Sequence, residues 1–264
     1  MSLDGAPPVL WHTKLSHYGE KVRWALDHKR IDHRRRAVPP GAHMVVAYAL
    51  TRGRGYTIPL MQIDGEVLCD STAIIAALEQ RRPDPPLYPP DPVERRRALE
   101  LEEFFDEELG PHTRQLGFHE LRAAPDAMAA VAAAMLPAGL ARNERVASIA
   151  GRLGERFAVL RYGSDSAAEA EVARRRIVAA LDRIEAELER GTGDYLVAGR
   201  FTVADLTAAS LLYPVVQPPE AFPLPDPTPG YERFLAPLRE RRGFAWVGEI
   251  FARHRGAAGA CASP

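Results

Sequence analysis

Three short stretches carry side chains whose types and spacing could do chemistry. Ser16, in LSHYGEK, falls in a turn between a β-like run and a helix-like run. A hydroxyl there has free backbone N–H groups around it; an ordinary helix cap is the plainer alternative. Ile58-Pro59 opens a strand that would be central in a small sheet. Proline donates no ladder hydrogen bond, so its place there needs a reason. A cis peptide would turn the carbonyl and N–H of Ile58 outward, free to pair with an extended ligand backbone; a trans proline at a strand start is the alternative. Asp70-Ser71 stands before the helix-like run Thr72 to Glu79. Helix N-termini collect anions, and Asp or Ser there is also a common cap.

Other constellations are weaker. His12, His17 and Asp27 lie near Ser16, but no G-x-S-x-G elbow supports a hydrolase. Glu102-Glu103 and Asp106-Glu107-Glu108 read as a solvated helix face, and His33 to Arg36 (HRRR) as a solvated edge strand or a small anion patch. No Gly-rich phosphate loop occurs, and the histidines have no metal-ligand spacing, so no metal site is expected. Cys69 reads as a core thiol.

The elements that must position these residues follow from periodicity. Val9 to Thr13 is β-like. Glu20 to Asp27 predicts a helix, with Val22, Ala25 and Leu26 on one face. His33 to Val38 predicts a polar strand and Ala42 to Leu50 a weak helix, before Gly53 and Gly55 break the chain. Ile58 to Ile63, the turn dipeptide Asp64-Gly65 and Val67-Leu68 predict a hairpin. The order is βαβαββα. A proline-rich run, Arg81 to Pro92, cannot sit in a helix or central strand and reads as a linker. Beyond it the pattern is helical at Val93 to Leu109, Ala170 to Leu188, Phe201 to Tyr213 and Phe234 to Phe251. We therefore expect an α/β domain over 1–82, a linker over 83–92 and an all-helical domain over 93–264. The tail Gly256 to Pro264 is expected to be disordered.

Composition narrows the function classes. The 264 residues are 46% hydrophobic and 26% charged, with a formal net charge of −1. That balance argues against nucleic acid held by the overall field. No apolar run of about 18 residues predicts a membrane span. Met1 to Pro8 lacks the basic start and apolar run of a signal peptide, and Cys69 and Cys261 form no disulfide framework. A cytoplasmic protein is expected.

The combination is more specific than its parts. A first strand leading to LSHYGEKVRWAL, then TIPLMQIDGEVLCDSTAIIAALEQ, a proline-rich linker and a helical half resemble the glutathione S-transferase family. Its N-terminal domain is thioredoxin-like. In the helical half, FTVADLTAASLL carries Thr202 and Asp205 as a capping box, which the family uses to start a buried helix. The resemblance implies roles for single residues. Ser16 falls where serine-type members hold the hydroxyl that hydrogen-bonds the glutathione sulfur. Trp11-His12 stands where tyrosine-type members have their tyrosine, and there is no cysteine at Ser16. Pro59 matches the cis-proline, with Ile58 pairing to the cysteinyl backbone. Asp70 and Ser71 would hold the γ-glutamyl carboxylate. Thr57 departs from the basic residue usual before the Ile-Pro step, which leaves His43, Arg52 and Arg54 as candidates for the glycine carboxylate. Phe104, Phe105, Leu109 and His112 are candidates for the second-substrate wall, with core packing the competing job for at least half of them.

The implied chemistry is thiol activation, with glutathione as cosubstrate, no covalently bound cofactor and a small hydrophobic electrophile as partner, a detoxification chemistry. A free thiol has a pKa near 8.5, and lowering it by about two units takes roughly 2.7 kcal/mol. A charge-assisted hydrogen bond contributes about 1.5–3 kcal/mol and a helix N-terminus about 0.3–1 kcal/mol. The family also implies a two-fold homodimer. A non-catalytic glutathione-binding or protein-interaction module on the same fold stays open beside the enzyme. The stretch from Phe118 to Gly163 is longer than the usual family connection, and could cover the second-substrate site or extend an interface.

Overall fold

The computed structural model describes residues 7–39, 42–136, 138–191 and 193–255. Met1 to Ala6 and the tail Gly256 to Pro264, with Cys261, lie outside the described residues. The first part runs β1 (Val9–His12), α1 (His17–His28), β2 (Arg34–Ala37), α2 (Ala42–Leu50), β3 (Leu60–Ile63), β4 (Glu66–Cys69) and α3 (Ser71–Arg81). This is the expected βαβαββα order. The sheet order is β2-β1-β3-β4, with β1 parallel to β2 and antiparallel to β3, and β3 antiparallel to β4. Asp64 and Gly65 both take positive φ, 51° and 79°, as a tight two-residue hairpin turn requires.

Two of the boundaries that differ from the periodicity bear on the site. α1 begins at His17 rather than Glu20. Gly19 in the first turn weakens the helical pattern, but tertiary contacts override it. The His17 ring lies 2.7 Å from the Gly110 carbonyl, and the Tyr18 hydroxyl donates to the Asp106 carbonyl at 2.6 Å. The second difference is that β3 begins at Leu60 rather than Ile58. Pro59 has no N–H for the ladder, and the Ile58-Pro59 peptide is cis.

The helical part contains α4 (Pro92–Phe104), a π-helical turn (Phe105–Leu109), α5 (Gly110–Arg122), α6 (Pro125–Met135), the short α7 (Ala138–Ala141), α8 (Glu144–Tyr162), α9 (Ala167–Arg190), α10 (Val203–Val216), α11 (Pro229–Arg239) and α12 (Arg242–His254). α10 is buried almost all round, against α1, α4, α5 and α12. Each large aliphatic side chain hidden there contributes about 1.5–3 kcal/mol relative to exposure. The expected capping box is present. Asp205 accepts the Thr202 N–H and hydroxyl, both at 2.8 Å, and the Leu196 N–H at 2.8 Å. Burial still pushes its carboxyl up to about 7.

The proline-rich run is tied down rather than loose. Prolines offer no N–H, so its few remaining donors and its carbonyls decide how it is held. Glu79 accepts the N–H groups of Leu87 and Tyr88, and the buried Lys29 ammonium donates to the carbonyls of Arg82 and Pro85. Lys29 also pairs with Glu79 at 2.5 Å. One charge pair thus docks this segment on α1 and α3. No helix among the described residues is long and apolar enough to cross a membrane.

Candidate functional site

Ser16 caps α1. Its hydroxyl oxygen accepts the Gly19 N–H at 3.0 Å, and its own N–H donates to the Thr13 carbonyl at 3.0 Å. A hydroxyl that accepts one bond still has a proton to give, and no described residue takes it. Capping and ligand binding are therefore compatible at this oxygen.

The loop carrying Ser16 is held from behind. Arg23 donates to the carbonyls of Thr13 and Lys14 at 3.3 and 3.1 Å, and the Tyr213 hydroxyl donates to that of Leu15 at 2.5 Å. Arg23 is itself fixed by Glu20 at 2.6 Å, and Glu20 by Arg255 at 2.5 Å. Burial alone would raise the Glu20 carboxyl, but Arg23 and Arg255 hold it down to about 2. A loop locked by packing and outer hydrogen bonds keeps its hydroxyl in one place.

The nearby histidines do not reach Ser16. Arg23 donates to Nδ1 of His12 at 2.8 Å; burial and that neighbouring charge push His12 down to about 3. His17 turns Nε2 to the Gly110 carbonyl, so that nitrogen carries the proton; burial and Arg114 push it down to about 3. Asp27 pairs with Arg35 and Arg255. A Ser-His-Asp relay is not assembled.

These histidines give a pH prediction. Both rings stay neutral in the folded chain but protonate below about 6.5 when unfolded. The unfolded state then binds more protons, so their contribution is complete above 6.5 and is lost as pH falls toward about 3. The denaturant midpoint is expected to fall between pH 7 and 5. His17→Gln, which keeps an N–H for Gly110, should flatten that slope. An unchanged slope in the variant would contradict the assignment.

The β3–β4 register brings the other candidates to one end of the sheet. Leu60 pairs with Cys69, so Ile58 and Asp70-Ser71 flank the same hairpin end. Asp70, at φ 76°, caps α3 by accepting the Thr72 and Ala73 N–H groups at 2.9 and 3.1 Å. Ser71 is 4% exposed, and its hydroxyl is engaged by no described residue. Cys69 is half-buried in β4 rather than in the core, and burial raises its thiol.

A cavity of about 470 Å³ opens between the α/β and helical parts, within the range of small-molecule sites. Ser16, Ile58 and His43 line it together with His17, Tyr18 and Thr57. Pro59, Asp70 and Ser71 are not in its wall. Arg52 and Arg54 are exposed outside it. The four candidates for the second-substrate wall are placed elsewhere. Phe105 and Leu109 are wholly buried in the core, Phe104 packs on that core beneath Arg183, and His112 is half-buried, outside the cavity lining. The π-helical turn at Phe105–Leu109 re-phases the helix, so that Thr113, Arg114 and Gly117 face the cavity instead.

The far wall comes from the long segment between Phe118 and Gly163. α6 and α8 pack closely: a Cβ on Gly151 would lie 3.1 Å from the Ala129 backbone. Met128, Val131, Phe157 and Tyr162 from this pair line the cavity. The segment covers the site. Sequence reading named none of these residues, because it assigned no element between Phe118 and Gly163 and so no face to place them on. Gly110 matters in the same wall, because a Cβ there would lie 2.2 Å from the Tyr18 hydroxyl.

Comparison with known proteins agrees with this fold. Residues 10–86 match the family model "Glutathione S-transferase, N-terminal domain", and residues 150–236 match "Glutathione S-transferase, C-terminal domain". The chain is 35% identical to a "Probable maleylacetoacetate isomerase 1" of Drosophila melanogaster over 115 residues, 39% of this chain and 44% of that protein. It is 24% identical to a "Probable maleylacetoacetate isomerase" of Caenorhabditis elegans over 211 residues, 80% of each. Among solved structures it resembles a maleylacetoacetate isomerase from Anaeromyxobacter dehalogenans 2CP-1 with glutathione bound in its active site. That match has a TM-score of 0.59 and 21% identity, covering 98% of both chains. At that identity the likeness concerns the fold.

Proposed function

We propose that this chain, which belongs to the glutathione S-transferase family by both of its matched regions, binds glutathione beside Ile58 and Ser71 and activates its thiol with Ser16. The observation that carries this reading is the uncommitted Ser16 hydroxyl proton, held at a helix start and facing an apolar cavity. Ile58 would pair its backbone with the cysteinyl unit as Pro59 leads into β3. Asp70 and the α3 N-terminus, with the Ser71 hydroxyl, would hold the γ-glutamyl end. His43, Arg52 and Arg54 remain the groups for the glycine carboxylate; burial and then Arg161 lower the pKa of His43. The thiolate then attacks a small electrophile against α5, α6 and α8.

The domain division 1–82, 83–92 and 93–264 belongs to the same reading. So do a cytoplasmic setting, a detoxification role and a homodimer. Val45, 72% exposed, and the stacked, half-exposed Tyr48 and Tyr56 offer an apolar surface for the second copy.

The names of the relatives favour a second outcome for the same thiolate. Addition to an activated alkene, rotation about the resulting single bond and expulsion of the thiolate would isomerise the alkene and return glutathione. Transfer consumes glutathione; isomerisation does not. Titrating the absorbance of the bound thiolate against pH tests the shared step. The expected apparent pKa lies about two units below the free thiol's 8.5. An unshifted value with glutathione bound would leave the non-catalytic binding module as the reading.

A further inference from the structure

We infer that the second substrate is an anion, an apolar body carrying a carboxylate that Arg114 receives with Arg161 beside it. This rests on the proposed function and specifies its substrate class. Arg114 on α5 and Arg161 on α8 both line the cavity. Their guanidinium carbons lie 4.5 and 5.5 Å from the Tyr162 ring centroid, and Arg114 also lies 5.9 Å from that of Tyr18. Ring contacts of this kind favour a guanidinium where it stands and consume none of its N–H donors, which a planar carboxylate can match with two parallel bonds.

Neither guanidinium has an ion pair or a hydrogen bond among the described residues. Nε of Arg114 is shut off from water, so its terminal nitrogens are the donors an occupant of the cavity would meet, and these stay unmatched until something supplies the acceptor. The protein's own carboxylates do not. Glu120 is taken by Arg174 at 2.6 Å and by the Thr228 hydroxyl at 3.1 Å, and Asp226 is exposed. Burial disfavours the charged form of both His17 and His43, the cavity's histidines. Two cationic groups thus face a mostly apolar space, where low-dielectric walls strengthen their attraction for an anion.

Calorimetric titration with S-(4-carboxybenzyl)glutathione and S-(4-methylbenzyl)glutathione tests this. The carboxylate is expected to bind at least tenfold tighter, about 1.4 kcal/mol. Arg114→Met should shrink the gap below threefold while leaving the methyl compound within threefold. Arg161→Met should reduce the gap by a smaller factor, and stands in if Arg114→Met does not fold. Equal affinity of wild type for the two compounds would overturn the inference. If neither binds, the glutathione reading fails by itself. The anion site is then decided without glutathione, by fluorescence titration with 8-anilinonaphthalene-1-sulfonate and its uncharged parent N-phenyl-1-naphthylamine. A sulfonate preference that Arg114→Met removes upholds the site; equal binding, or a preference the variant keeps, refutes it.

Discussion

Ser16→Ala is expected to lower kcat/KM at pH 7 by about 10- to 150-fold, the equivalent of one charge-assisted hydrogen bond. Affinity for glutathione should change less than threefold, because the proposed site would hold the tripeptide through Ile58 and the α3 N-terminus. The loss should be pH-dependent. With the thiolate less stabilised, the variant's rate keeps rising above pH 8, where wild type has levelled. Ser16 also caps α1 through the Gly19 N–H, so the variant loses about 1 kcal/mol of stability as well. Ser16→Thr keeps a hydroxyl and separates the two effects: it should retain the cap and a large part of the rate. A rate unaffected by Ser16→Ala would remove this hydroxyl from the chemistry.

Lys21→Met is expected to be the most destabilising single change near the site, by about 3–5 kcal/mol, or roughly 10 °C in Tm. The Lys21 ammonium is fully buried. It pairs with Asp106 at 2.6 Å and Glu102 at 2.9 Å, and donates to the Thr72 hydroxyl at 3.0 Å. Glu102 Oε2 and Asp106 Oδ1 are already shut off from water without partners. Burial raises the Glu102 carboxyl even with Lys21 opposing it. Removing the cation leaves two buried carboxylates facing each other. The triple change Lys21→Met, Glu102→Gln, Asp106→Asn should recover much of the loss, since no charge is then stranded. The cluster joins α1, α3 and α4, and Thr72 follows Ser71 directly. Glutathione affinity should therefore weaken in Lys21→Met and return with stability in the triple variant. A thermal scan within 2 °C or so of wild type for Lys21→Met would contradict this role.

The α/β half was legible because its signals are local. Alternation, the Asp64-Gly65 turn, the Ile-Pro step and Asp70-Ser71 each act within a few residues. Ser16 was legible as a helix start, although the helix begins a turn earlier than the periodicity implies. His17 and Tyr18 are anchored to Gly110 and Asp106, some ninety residues away, and no short window contains that contact. The second-substrate wall was not legible for a similar reason. Placing Phe104, Phe105, Leu109 and His112 there assumed one continuous helix. The π-helical turn changes which side chains face inward, and nothing in the spacing of FFDEELGPH announces it. Arg114 drew no notice because its isolation appears only once Tyr18, Glu120 and Tyr162 are placed around it. Glu102 and Asp106 read as part of a solvated helix face, but they meet the buried Lys21 ammonium, a partner that comes from another helix.

The central claim is that this chain holds glutathione between Ile58, the α3 N-terminus and Ser16. Calorimetric titration of the purified chain with glutathione, wild type against Ser71→Ala, tests it most directly. Saturable binding that Ser71→Ala weakens at least tenfold, about 1.4 kcal/mol, is the predicted result. Absence of binding at millimolar glutathione, or binding that Ser71→Ala leaves unchanged, would contradict it and return the fold to an interaction module.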